Sequence, residues 1–119
     1  MAGITYRNFA LPDESKSLDK FSVELVDLGS AVAAKITQEP GWSWSKYVKP
    51  LAGTDSCQVR HVGVMISGRD CIRHDDGTEV MFVPGDAYVI EPGHDAWVVG
   101  DEPAVGYEFE NTQPPKSNT

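Results

Sequence analysis

From Phe21 onward the apolar residues alternate with polar ones or gather in short runs, and Gly, Pro or Asp interrupts them roughly every eight to twelve residues. That pattern predicts strands near residues 21–28, 31–38, 42–48, 57–67, 70–75, 78–83, 86–90, 95–99 and 104–109. No stretch sustains a helical period, so the expected class is all-β, a sandwich or a small barrel. Asp75-Asp76-Gly77 separates Cys71-Ile72-Arg73-His74 from Glu79-Val80-Met81-Phe82-Val83 and predicts a hairpin, since Gly supplies the positive φ of a tight turn. Ser67-Gly68-Arg69 predicts a second reversal just before it, which would set Cys71 opposite Ile66 and far from Cys57.

Alternation through the longest predicted strand puts Cys57, Val59, His61, Gly63 and Met65 on one face and Gln58, Arg60, Val62, Val64 and Ile66 on the other. Both faces turn apolar toward Gly68. A strand buried on two sides implies a second layer or a subunit interface behind the wall.

The 119 residues amount to one domain, and an apolar share of 40% is enough to bury a core. The expected division is an arm over 1–20, a β-barrel domain over 21–110 and a polar tail over 111–119. Ten Lys and Arg against 18 Asp and Glu leave a formal charge of −8, which repels nucleic acid and anionic membranes and favours a neutral or cationic small molecule, a metal or a protein. Met1 to Ala10 holds no uninterrupted apolar block and no segment is long enough to span a membrane, so a cytoplasmic location is expected. Cys57 and Cys71 are not in C-x-x-C spacing and are expected to stay reduced.

Cys57 to Gly68, the hairpin, and then Pro84-Gly85-Asp86-Ala87-Tyr88-Val89-Ile90-Glu91-Pro92-Gly93-His94 together resemble the cupin family over roughly residues 40 to 110. The resemblance implies a cupin-like jelly-roll β-barrel, often dimeric, and metal-dependent oxygenase, isomerase or lyase chemistry on a small organic substrate. Counted back from Gly68, the acidic position of the first cupin motif falls on His61 and its two histidine positions on Asp55 and Cys57. In the second motif Ala96 stands at the histidine position and His94 lies two residues earlier. The usual metal set is therefore absent, and any ligand set has to be rebuilt from other residues.

Cys57, His61 and His94 offer a thiol and two imidazoles, a set suited to zinc or iron, and Asp55 could add an oxygen. In a straight strand the Cα atoms of residues 57 and 61 would lie about 13 Å apart, so sharing one ion requires a bend or bulge between them. The alternative is a metal-free binding or sensing domain in which Cys57 is a small buried hydrophobe and His61 a hydrogen-bonded interior histidine. Cys57 as a nucleophile has no local signature behind it, and no catalytic residue is assigned. Asp95 could orient His94 or cap a turn, and His74 is expected at the surface. Trp42, Trp44, Met65, Tyr88 and Trp97 are the candidate walls of a ligand pocket, with Tyr47 and Met81 as further candidates. A small-molecule ligand and a homodimeric partner complete the expectation.

Overall fold

The computed structural model describes residues 3–112, and in them the predicted punctuation becomes two antiparallel sheets. The larger sheet has six strands in the order β1 (Glu14–Leu18), β2 (Phe21–Asp27), β3 (Val32–Gln38), β9 (Ala104–Thr112), β4 (Arg60–Ser67) and β7 (Ala87–Ile90). The smaller has three, in the order β6 (Glu79–Phe82), β5 (Arg69–His74) and β8 (His94–Val99). Strand β9 lies between β3 and β4, so the last described strand closes the middle of the large sheet. The inner faces meet around Trp42, Trp44, Met65, Ile72, Val98 and Ala104, all buried.

The face assignment along β4 holds, with His61 and Met65 turned inward and Ile66 exposed on the outside. The hairpin at Asp75-Asp76-Gly77 is also present, joining β5 to β6 with Arg73 opposite Glu79 and Gly77 at φ 95°. The reversal expected at Ser67-Gly68-Arg69 is instead a corner, because β4 and β5 belong to different sheets. Gly68 turns it at φ 72°, and a Cβ there would overlap the Pro103 carbonyl oxygen. Cys71 accordingly lies opposite Met81 and Trp97, not Ile66, and both cysteines are free thiols.

Residues 42–48 do not form the expected strand. Ser43 accepts a hydrogen bond from the Lys46 amide and caps a short helix, α1 (Trp44–Tyr47), and Pro50 sits in the first turn of the next, α2 (Lys49–Ala52). The alternation of Trp42 and Trp44 with two serines imitated a strand, but the N-cap hydroxyl and the proline decide the local structure. Residues 14–18, inside the segment expected to be an arm, are strand β1, paired with β2 from Glu14 opposite Leu25 to Leu18 opposite Phe21. Its lack of apolar alternation is what an edge strand tolerates. Of the tail expected over 111–119, Asn111 and Thr112 extend β9, and the remainder lies outside the described residues. Among the described residues no helix is long and apolar enough to cross a membrane.

Candidate metal centre

The bend required between Cys57 and His61 exists. Strand β4 begins only at Arg60, and Cys57 instead pairs with His94 in an isolated bridge, its amide 2.7 Å from the His94 carbonyl oxygen. The Gly93 amide in turn donates to the Cys57 carbonyl at 2.7 Å. Gly93, at φ 101°, gives the Pro92-Gly93 turn the shape that makes this exchange possible. The ligand atoms of Cys57, His61 and His94 consequently lie within 4.8 Å of one another, facing the interior.

Each imidazole is fixed through Nδ1, which leaves Nε2 for the centre. His94 Nδ1 is 2.8 Å from the Glu91 carbonyl oxygen, and His61 Nδ1 is 2.7 Å from Glu108 Oε1. An acceptor on the remote nitrogen sets both tautomer and ring orientation, the usual support of a metal-binding histidine. Asn111 donates to the same Glu108 oxygen at 2.7 Å, and the Tyr88 hydroxyl donates to Oε2 at 2.8 Å.

Two backbone features bring Glu108 there. In the pairing of β4 with β9, Val62 lies opposite Glu110 but Gly63 opposite Glu108, so Phe109 is an extra residue in a β-bulge. The bulge shifts the alternation, which lets Glu108 and Asn111 both turn inward while Phe109 stays exposed. Gly63 stands opposite both Tyr88 on β7 and Glu108 on β9, and a Cβ there would crowd the Glu108 side chain, while at Gly106 a Cβ would lie 3.1 Å from the Tyr88 hydroxyl.

Burial opposes ionisation of the Cys57 thiol, but hydrogen bonds from His61 and His94 outweigh it and bring the group down to about 6. Burial likewise opposes charge on His61, yet its bonds to Cys57 and Glu108 raise the ring to about 9. Burial and the Glu108 charge push the Tyr88 phenol up, so it remains a donor. His61 and His94 thus draw the Cys57 thiol toward its thiolate, and a thiolate with two imidazoles is a donor set that fits zinc or ferrous iron.

Beside the trio is a cavity of about 370 Å³, walled by Phe21, Trp42, Trp44, Met65, Phe82 and Tyr88 among others. Of the expected wall residues, Trp42, Trp44, Met65 and Tyr88 line it and Trp97 does not. Alternation along β8 sends His94, Ala96 and Val98 inward, so Trp97 faces out, with the Arg73 guanidinium 5.9 Å from its ring centre. Met81 is exposed on the outer side of β6, and Tyr47 packs against the core without reaching the cavity. Asp55 is exposed and outside the ligand cluster. Asp95 accepts from the amides of Ser45 and Ala96 and ties α1 to β8, so His94 has Glu91 as its support instead. His74 is partly buried, its Nε2 2.9 Å from the Pro92 carbonyl oxygen, and so braces the loop before His94.

A second buried carboxyl, Asp70 on β5, also lines the cavity. With its amide oriented to donate, Gln38 places its nitrogen 2.8 and 3.2 Å from the two Asp70 oxygens. Burial, and then the Glu108 charge, push Asp70 up to about 8 from 3.8. Between those values the folded chain holds a proton that the unfolded chain has released, so this group's contribution to stability falls as pH rises toward 8. Asp70→Asn is therefore expected to gain in melting temperature on the parent protein as pH is raised from about 4 to 8, then to keep a constant advantage. Thermal melts across that range check it, and parallel curves would contradict it.

No family model and no curated protein matches the chain. Solved structures do. A protein of unknown function from Acidithiobacillus ferrooxidans superimposes with a TM-score of 0.59 at 22% identity, over 91% of this chain and 96% of that one. A sugar phosphate isomerase from a cupin superfamily, from Silicibacter pomeroyi, gives 0.57 at 20% identity over 81% and 62%. The chain has the cupin fold. Lactobacillus farciminis oxalate decarboxylase, in a formate complex, gives 0.59 at 16% identity, and there the match covers 84% of this chain but 33% of the decarboxylase.

Against the cupin motifs, the histidine position of the second motif, Ala96, is a core residue, while His94 enters from the start of β8. Glu108, Asn111 and Asp70 belong to neither motif and were not foreseen. One signal for Glu108 was present in the sequence: it continues the inward series of Ala104 and Gly106, where a charge is out of place unless it has a task.

Proposed function

We propose that this cupin binds a small organic molecule in its barrel beside a divalent ion, zinc or iron, held by Cys57, His61 and His94. The observation that carries this reading is the convergence of those three ligand atoms within 4.8 Å, with both imidazoles fixed through Nδ1. Bound there, the ion would polarise a substrate oxygen or activate a water, the chemistry behind the oxygenase, isomerase and lyase activities that the fold hosts. The chain's own residues supply the surroundings. Glu108 holds the His61 ring and accepts a hydrogen bond from the Tyr88 hydroxyl, and aromatic side chains wall the cavity.

Elemental analysis of protein purified without an affinity tag or chelator tests the reading directly. About one zinc or iron per chain is expected. Less than about a tenth of an equivalent, persisting after incubation with zinc and ferrous ions, would sink it.

A second reading, a metal-free binding module, is favoured by the hydrogen bonds between Cys57 and both His61 and His94, which satisfy the thiol within the protein. Its mark is a rise in melting temperature with ligand after chelation.

We propose further that a second copy of the chain covers the outer face of the large sheet. Val62 and Val89 are cross-strand neighbours there, and Val89, Ile66 and Phe109 remain 55%, 47% and 63% exposed. Phe109→Glu is expected to convert a dimer to a monomer in size-exclusion chromatography with light scattering, and a parent protein that elutes as a monomer refutes the assignment.

A further inference from the structure

We propose that the barrel takes a small organic cation, an amine whose ammonium group sits at Asp70 and whose apolar body lies along the aromatic wall. This rests on the reading of the barrel as a ligand pocket and not on the metal. Two carboxyls line the cavity from buried positions, Asp70 and Glu108, 6% and 5% exposed, and their surroundings differ. Glu108 receives three donors, from His61, Asn111 and Tyr88. Asp70 has the neutral amide of Gln38, and among the described residues no lysine, arginine or histidine forms an ion pair with it.

The positive groups of the cavity leave that place open. No arginine lines it, and its one lysine, Lys16, is exposed. The His61 ring is charged at neutral pH, but it is bonded to Glu108 through Nδ1 and to the Cys57 thiol as well. Its field favours the Asp70 carboxylate less than burial and the Glu108 charge oppose it, so Asp70 is held as the neutral acid. A buried carboxyl without a counter-charge keeps its proton, and a cation placed within hydrogen-bond distance supplies the counter-charge in the proton's stead. Opposite Asp70 in the β5–β6 pairing is Phe82, which also lines the cavity and stacks on Tyr88 with ring centres 4.8 Å apart. Aromatic side chains beside the carboxyl suit an organic cation, and the formal charge of −8 draws cations toward the molecule. A volume of about 370 Å³ is at the small end for ligand sites, room for a single ring with a short substituent.

Benzylamine, benzyl alcohol and benzoate share that ring and differ in charge. Each is titrated by calorimetry at about pH 6.5 into the parent protein, once loaded with zinc and once chelated. Benzylamine is expected to bind at least about tenfold more tightly than benzyl alcohol in both forms, and than benzoate in the chelated form. Asp70 is neutral at that pH and a bound cation ionises it, so about one proton should leave per amine bound, read from the heats in two buffers of different ionisation enthalpy. Asp70→Asn should weaken benzylamine by at least about tenfold, leave benzyl alcohol unchanged and abolish the proton release. The other titratable groups acting on Asp70 are Glu108 and His61, and a release that persists in Asp70→Asn would come from them and overturn the assignment. Benzyl alcohol binding as tightly as the amine overturns it too, as does amine binding with no proton released; both are read on the parent protein and stand even if the variant does not fold. Alcohol or benzoate binding without the amine removes the cation and keeps the ligand pocket, whereas no binding by any of the three removes both. Metal content is measured separately, so a chain that holds no ion yet prefers the amine keeps this inference and loses the metal.

Discussion

Cys57→Ala is expected to lower the bound metal from about one ion per chain to below about a tenth while leaving the fold intact. Cys57 supplies the thiol of the trio, and its loss leaves two imidazoles, too few to retain zinc or ferrous iron through purification. The side chain is small, so the cost to packing is modest, and circular dichroism should match that of the parent protein. Glu108→Gln provides the graded control. The amide keeps the shape but weakens the bond to His61 Nδ1, and metal affinity should fall by about 10- to 100-fold without vanishing. Elemental analysis after dialysis against buffered zinc reads both variants. Full occupancy in Cys57→Ala would mean that the ion, if present, is held elsewhere.

Gly63→Ala is expected to destabilise the barrel by about 2–3 kcal/mol, a fall of about 10 °C in melting temperature. The added Cβ would overlap the Tyr107 carbonyl oxygen and lie 2.8 Å from Glu108 Cγ. Backbone, not a movable side-chain end, is in the way, so β4 and β9 must part where the bulge turns Glu108 inward. Tyr88→Phe removes only the hydrogen bond to Glu108, 2.8 Å in the parent protein, and should cost about 1 kcal/mol. If Gly63→Ala melts no lower than Tyr88→Phe, close approach of the strands is not what the glycine provides.

The legible parts of the fold are those set by neighbours along the chain. The hairpin at Asp75-Asp76-Gly77 and the inward series of His61 and Met65 follow from turn chemistry and a period of two. Cys57, His61 and His94 could be picked out by residue type, and their sharing of one ion required the bend that brings them together. Local pattern misled at Trp42 and Trp44, where a serine cap outweighed alternation, and at Glu14 to Leu18, where an edge strand needs no apolar face.

Sequence alone thus determined the strand-rich architecture, the face of β4 that looks inward and the donor types available to a metal. Only the tertiary structure decided which residues serve them. The bulge at Phe109, the corner at Gly68 and the bridge between Cys57 and His94 each join segments distant in the chain, and their register follows from the packing of two sheets and not from spacing. That register turned Trp97 outward, brought Glu108 and Asn111 in behind His61, and left the Trp42 N–H buried without a partner among the described residues.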